Sequence, residues 1–212
     1  MGGLTLAGSH VVLVPLSMEH ASALARASNG DRSTFGLTWV PDGLADAERY
    51  IAKALADQTA GTAVPFATTR AEDGEIVGST RYMNIERWAW DSAGADPDAV
   101  EIGSTWLAPT VQRTPLNTEA KLLMLTHAFE VWQVQRVTLK TDARNERSRN
   151  AILRLGAHFD GILRANMPAY DGPWPRDSAF YSIVASEWPT VRSGLRAKLG
   201  KYGIPDGEEA GR

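Results

Sequence analysis

The stretch that most limits the possible folds runs from Ala99 to Val134, because a period-two pattern gives way there to a helical pattern across a very short loop. Ala99 to Pro109 (AVEIGSTWLAP) alternates apolar and polar residues and ends in proline, as a half-buried strand meeting a loop does. Beyond it, Leu116, Ala120, Leu123, Leu125, Ala128, Phe129, Val131 and Trp132 make a wide apolar surface at helical spacing, leaving Glu119, Lys121, His127 and Glu130 for solvent. Thr114 suits an N-cap and Pro115 a first helical residue, which needs no N–H; Asn117 is a competing cap. A strand, a short loop and a helix N-terminus aim free backbone N–H groups and a positive dipole end at one point. Such a point binds phosphate.

The flanking chain reads as further elements of one α/β domain. Ala7 to Pro15 predicts a first strand, Ser17 to Ser28 a helix capped by Ser17, and Ala45 to Gln58 a second helix. Between the helices, Asn29 to Gly43 is a loop whose Phe35, Leu37, Trp39 and Val40 either pack onto the core or line a pocket. Val64 to Thr69 and Glu75 to Ile85 form a hairpin about the Glu72-Asp73-Gly74 turn, with a bulge marked by Gly78. Glu86 to Asp98 is an acidic loop carrying Trp88 and Trp90, which suit a lid over substrate or a subunit contact. Arg136 to Thr141 is a strand, and Asn145 caps a helix that ends at Gly156. Two more strands, Ala157 to Asn166 and Ser178 to Ser186, flank a Met167 to Asp177 loop; Pro189 to Leu199 is a last helix and 200–212 a flexible tail. This order describes a mixed sheet with helices on both faces, within residues 1–199.

Two motifs in sequence carry a resemblance. Gln112-Arg113-Thr114-Pro115-Leu116-Asn117, then Thr118-Glu119-Ala120-Lys121, is similar to the acyl-coenzyme A loop of the GNAT superfamily of N-acetyltransferases, in its RimJ/RimL-like branch. Asn145-Glu146-Arg147-Ser148 followed by Ala151 to Gly156 resembles that family's next motif. The loop departs from the family pattern at Pro115 and Asn117, which stand at glycine positions; proline removes a donor and asparagine adds a side chain. The resemblance implies the acyltransferase fold, a mixed and mostly antiparallel sheet. It also implies acetyl-coenzyme A as cofactor and transfer of its acetyl group to a primary amine, of a protein N-terminus or a small molecule, in a ternary complex. The alternatives are a non-catalytic acyl-coenzyme A-binding module and an enzyme using a larger acyl group such as succinyl.

Acetyl transfer needs a held cofactor, a base for the amine, donors for the oxyanion and a proton for the thiolate. Candidates for the cofactor are Leu107, Gln112, Arg113, Thr114, Leu116, Asn117, Thr118, Asn145, Arg147 and Ser148, with Arg144 and Arg149 adding positive charge. Glu101 is the first candidate base, since a charge within an apolar strand asks for a reason and simple alternation gives it a face shared with Gly103, Thr105 and Leu107. Its bland alternative is a structural ion pair, and Asp142 is the second candidate. The resemblance implies oxyanion donors among the N–H groups of Ser104 to Leu107. It also puts Ile152 where many relatives carry an acidic tyrosine, leaving Ser148 or Tyr181 to protonate the thiolate; Ser148 can equally be a plain capped-helix residue. Phe35, Trp39, Trp88 and Trp90 are the candidate acceptor-site residues.

Composition excludes several other classes. A formal charge of -3 argues against a general nucleic-acid binder, and a chain without cysteine has no disulfide, thiolate metal site or cysteine acyl-enzyme. No apolar run nears membrane-spanning length, so a cytoplasmic protein is expected. His10, His20 and His158 show no metal spacing, and no metal is expected. Met1-Gly2 opens like a myristoylation signal, but Leu6 stands where serine or threonine is required. The exposed tryptophans and edge strands leave room for a homodimer.

Overall fold

The computed structural model describes residues 3–89 and 96–202; Trp90, the Met1-Gly2 opening and the tail beyond Tyr202 lie outside the described residues. The strands are β1 (Leu6–Ala7), β2 (Val11–Pro15), β3 (Ala63–Arg70), β4 (Ile76–Glu86), β5 (Ala99–Leu107), β6 (Arg136–Asp142), β7 (His158–Pro168) and β8 (Pro175–Val184). They form one sheet in the order β1-β2-β3-β4-β5-β6-β8-β7. Every neighbouring pair is antiparallel except β5 with β6. The sheet is therefore mixed and mostly antiparallel, with its one parallel pair at the centre.

Helices cover both faces. Against α1 (Ala21–Ala27) and α2 (Gly43–Thr59) pack Phe35, Ala67 and Trp106, together with Leu24 and Ile51 of the helices themselves. On the other face, α3 (Leu116–Thr126), α4 (Glu146–Leu155) and α5 (Trp188–Gly200) contribute Met124, Leu125, Ile152 and Leu195 to a core with Phe66, Tyr82, Ile102, Val137 and Tyr181. Asn145 and Gly156 cap α4 as its sequence indicates: Asn145 Oδ1 accepts from Ser148 N–H at 3.0 Å, and Gly156 is left-handed at φ 99°.

The structure corrects several expectations, each for an identifiable reason. The single first strand is a hairpin of β1 and β2, closed by Gly8 N–H on Val11 O at 2.8 Å. Glu119 organises that reversal. Far from facing solvent, its carboxylate is 4% exposed and accepts from the N–H groups of Ser9, His10 and Val11 at 2.8, 2.6 and 2.9 Å. A Cβ on residue 8 would lie 2.5 Å from Glu119 Cδ, so any larger residue there has to displace the carboxylate from its three N–H partners. Lys121 is also 4% exposed, because the N-terminal hairpin and the sheet together cover more of α3 than its apolar stripe alone. The helix starts at Leu116 with Pro115 as N-cap, one residue later than its caps suggest, and passes into a π-turn at His127–Val131. A 3-10 turn at Met18–His20 precedes α1, and β8 starts at Pro175, so the loop before it is 169–174.

Candidate active site

The site is built around a gap that opens where β5 leaves β6. The two strands pair at Ala99↔Arg136, Val100↔Val137 and Glu101↔Thr138, and no further. At the same level β5 carries a bulge: its register with β4 moves from Arg81↔Gly103 to Ser79↔Trp106, and Ser104 adopts φ 48°. One extra residue inverts the alternation. The bulge separates residues that simple alternation put on one face: Glu101 and Gly103 face the α1/α2 layer, while Thr105 turns toward α3 and bonds Lys121. Ala108 N–H donates to Val77 O at 2.7 Å, so strand alternation directs the N–H groups of Thr105 and Leu107 into the gap.

Glu101 stands at the apex of the gap, 5% exposed, and Oε2 accepts from Asn84 Nδ2 at 2.8 Å and lies 3.1 Å from Lys140 Nζ. The cofactor-loop residues gather at the open end. Gln112 Nε2 donates to Leu107 O at 3.0 Å, and Thr114 Oγ1 donates to Val111 O at 2.7 Å. Arg147, from the first turn of α4, donates to Gln112 Oε1 at 2.5 Å and to Thr34 O at 2.8 Å, tying both loops to that helix. Arg113 is exposed at φ 64°. The first-turn N–H groups of Leu116, Asn117 and Thr118 have no intrahelical acceptor. The N-terminus of α3 and the exposed Arg113 thus lie on one loop with Gln112, which Arg147 ties to the first turn of α4.

The remaining candidates occupy distinct positions. Asp142 is buried and receives Arg144 through its N–H at 2.9 Å, Nε at 3.0 Å and Nη2 at 2.7 Å; these hydrogen bonds hold its carboxyl below the usual range. Tyr181 is fully buried one rung past the last β5–β6 pair, its hydroxyl accepting from Arg149 Nε at 3.0 Å. Ser148 is half-buried in the first turn of α4.

A cavity of about 250 Å³ lies between the loop after α1 and the β7–β8 loop, lined by Arg32, Trp39, Asp42, Asp46, Tyr170 and Asp171 among others. Trp39 stacks on Tyr50 at 5.8 Å, and the Tyr50 hydroxyl reaches Ser79 Oγ at 3.0 Å and Ser104 O at 3.4 Å, so a chain of contacts runs from the cavity lining to the β5 bulge. Phe35 takes the packing alternative: it is 8% exposed and edge-on to Trp106. Trp88 is held by Glu86 and Asp98 at the far end of β5, apart from this cavity. Reasoning from sequence missed Tyr50, Tyr170, Asp171 and Lys121. Among the described residues no group of three or more His, Cys, Asp or Glu could hold a metal, and no helix is long and apolar enough to cross a membrane.

A strand pair that opens beside a helix N-terminus is the geometry the two motifs imply, and the model of the acetyltransferase (GNAT) domain matches residues 10–158. The chain belongs to the GNAT acetyltransferase family. This GNAT protein is similar to a GCN5-related N-acetyltransferase from Brucella melitensis, at 27% identity and TM-score 0.79, over 99% of this chain and 90% of that one. It is similar to an acetyltransferase-like protein from T. thermophilus, at 32% identity and TM-score 0.74, over 92% and 96% of the two chains. Mycobacterium smegmatis RimJ, solved with CoA-disulfide, shares the fold at 24% identity and TM-score 0.75, over 93% and 97%. No curated protein matches the sequence. GNAT enzymes use acetyl-coenzyme A, and the residues present fit its charge: the first turn of α3 has N–H groups without an intrahelical acceptor, Arg113 is exposed on the loop before it, and Arg147 is bonded to that loop through Gln112. Pro115 subtracts one donor from that set.

Proposed function

We propose that this GNAT acetyltransferase is an acetyl-coenzyme A-dependent N-acetyltransferase of the RimJ/RimL-like branch, acting by direct attack of a primary amine in a ternary complex. The observation that carries the reading is Glu101 at the apex of the β5–β6 gap, on the sheet face shared with the Trp39 cavity. Acetyl-coenzyme A supplies the thioester; its phosphates would be held by the N–H groups of Leu116 to Thr118 with Arg113 and Arg147. Glu101 accepts the proton of the amine, either directly or through one water. The N–H groups of Thr105 and Leu107 receive the negative charge that develops on the carbonyl oxygen. Ser148, with a hydroxyl at the α4 N-terminus, protonates the departing thiolate in preference to Tyr181, which lies deeper and is engaged by Arg149. Asp142 is a poor base while Arg144 saturates it, and its part is to hold Arg144 toward Asp171 at the cavity.

The cavity lining carries Asp42, Asp46 and Asp171, paired with Arg32, Arg49 and Arg144, and an amine acceptor docked there would share their carboxylate oxygens. A protonated protein N-terminus or a basic small amine meets that description. A chain without cysteine suits the cytoplasm, and residues 1–199 form the catalytic domain in this reading. The test is release of free thiol from acetyl-coenzyme A with peptides bearing different N-termini and with basic small amines. Turnover of any of them, lost in Glu101→Gln, supports the enzyme. Binding of the cofactor with no turnover points to a binding module, and faster release from succinyl-coenzyme A in competition points to a larger acyl donor.

A further inference from the structure

Lys121 is a charged residue in a place built for an apolar one. It lies on α3 three and four residues before Met124 and Leu125, both 0% exposed, and is itself 4% exposed. Its Nζ is 2.7 Å from Thr105 Oγ1 and 3.1 Å from Thr80 Oγ1, and these hydroxyls are 2.8 Å from each other. No ion pair to Lys121 is found among the described residues. A methionine or leucine would fill this space without the cost of desolvating an ammonium, so stability alone does not account for lysine here.

What the triangle touches is the bulge. Thr105 follows Ser104, whose φ of 48° is a conformation that non-glycine residues adopt only when their surroundings enforce it. The opposite face of the sheet supplies one restraint, the Tyr50 hydroxyl on Ser104 O and Ser79 Oγ. Lys121 supplies the other, joining Thr105 on β5 to Thr80 on β4 at the place where the register shifts. The segment held between them is the one whose N–H groups, at Thr105 and Leu107, point into the gap.

We propose that Lys121 is a positioning residue for acyl transfer, which fixes the Ser104 bulge through Thr105 and thereby sets the gap-facing N–H groups of β5 in their working geometry. It acts through Thr105 and does not itself touch the reacting atoms. The inference rests on the acetyltransfer reading, yet its structural half can be measured independently of turnover.

The experiment compares wild type with Lys121→Met, Thr105→Val and Thr105→Ser, measuring steady-state thiol release and hydrogen–deuterium exchange over residues 102–108. Thr105→Val removes the hydroxyl at nearly constant shape, and Thr105→Ser keeps it. The expected result is a fall in kcat of at least about tenfold in Lys121→Met and Thr105→Val, with KM for acetyl-coenzyme A little changed, since small displacements of aligned donors are costly. Faster exchange in the segment should accompany it, and Thr105→Ser, which keeps the hydroxyl bonded to Lys121, should lose clearly less activity than Thr105→Val and exchange more slowly than it does. Exchange unchanged in both hydroxyl-breaking variants overturns the proposal whether or not any acceptor turns over. So does a kcat close to wild type in either, or a loss as large in Thr105→Ser as in Thr105→Val. A wild type that releases no thiol would sink the functional reading and with it the catalytic half of the proposal, while faster exchange in the two variants would still show that Lys121 fixes the bulge. If Lys121→Met does not fold, the two threonine variants decide.

Discussion

Lys140 Nζ lies 3.1 Å from Glu101 Oε2, so the ion pair joins the last paired residue of β5 to a residue of β6 two positions past the point where the parallel strands part. The ammonium lies beside a buried carboxylate, and Asn84 supplies that carboxylate with a further hydrogen bond at 2.8 Å. Of the two readings of Glu101 made from the sequence, the ion pair is present in the structure, and the base is the role proposed for it. Glu101→Gln keeps the shape and the Asn84 contact but cannot take a proton. Its kcat should fall by about 10²-fold or more while coenzyme A affinity stays near wild type, which stopped-flow turnover and calorimetry check together. An undiminished kcat would remove Glu101 from the mechanism.

Arg147 connects three parts of the site, since one guanidinium bonds Thr34 O and Gln112 Oε1 from the first turn of α4. Its removal frees the cofactor loop as well as deleting a cation. Arg147→Ala should weaken coenzyme A binding by about tenfold, and more at low salt than at high salt, because exposed charge–phosphate contacts are screened. Arg113→Ala removes charge without those two bonds, so its loss should be smaller. Titration calorimetry at two salt concentrations separates the cases; equal losses would mean that the bonds of Arg147 to the loops contribute nothing.

The fold was readable wherever periodicity and caps acted locally. Asn145, Gly156 and the Ala99 to Pro109 alternation each state their element within a few residues of chain. The bulge was not readable, because Ser104 is not a glycine and its left-handed φ is imposed by Tyr50 and Lys121, which are 54 and 17 residues away in sequence. That one conformation moved Thr105 to the other face. Lys121 could have been caught by phase, since Met124 and Leu125 at i+3 and i+4 are core residues. Its charge argued for solvent, and the helix phase won. The Trp39 cavity was only half legible, with Trp39 on a suspicious loop but Tyr170 and Asp171 brought from a distant turn.

Glu119 offers a stability test away from the chemistry. Three N–H groups of the β1–β2 reversal depend on its carboxylate, and α3 is held to the sheet edge through them. Glu119→Ala leaves those donors without an acceptor in a largely buried site, at a cost of about 3 kcal/mol. For a chain of this length that corresponds to a Tm lower by roughly 6–12 °C. Differential scanning calorimetry at neutral pH reads the shift, and a Tm within a degree of wild type would show that water reaches the stranded groups.

Lys121 makes its strongest prediction through pH. Burial pushes its ammonium down to about 7, from an ordinary value of 10.5. The groups against it, Thr80 and Thr105, are neutral hydroxyls that do not titrate in this range. Between about 7 and 10.5 the unfolded chain therefore binds a proton that the folded protein does not hold, so this residue makes stability rise with pH across that window. Below the folded value both states are protonated and the contribution is flat, at its most unfavourable; above 10.5 both are neutral and the penalty is gone. Within the window the slope approaches about 1.4 kcal/mol per pH unit. Lys121→Met has no such proton to lose. Denaturant unfolding at pH 6.5, 7.5 and 8.5 should show wild type gaining on the methionine variant by about 1 kcal/mol per step once past neutrality, with the variant the more stable protein at pH 6.5. Parallel curves for the two proteins would mean that Lys121 stays protonated in the fold, with a solvation that its two threonine contacts do not account for.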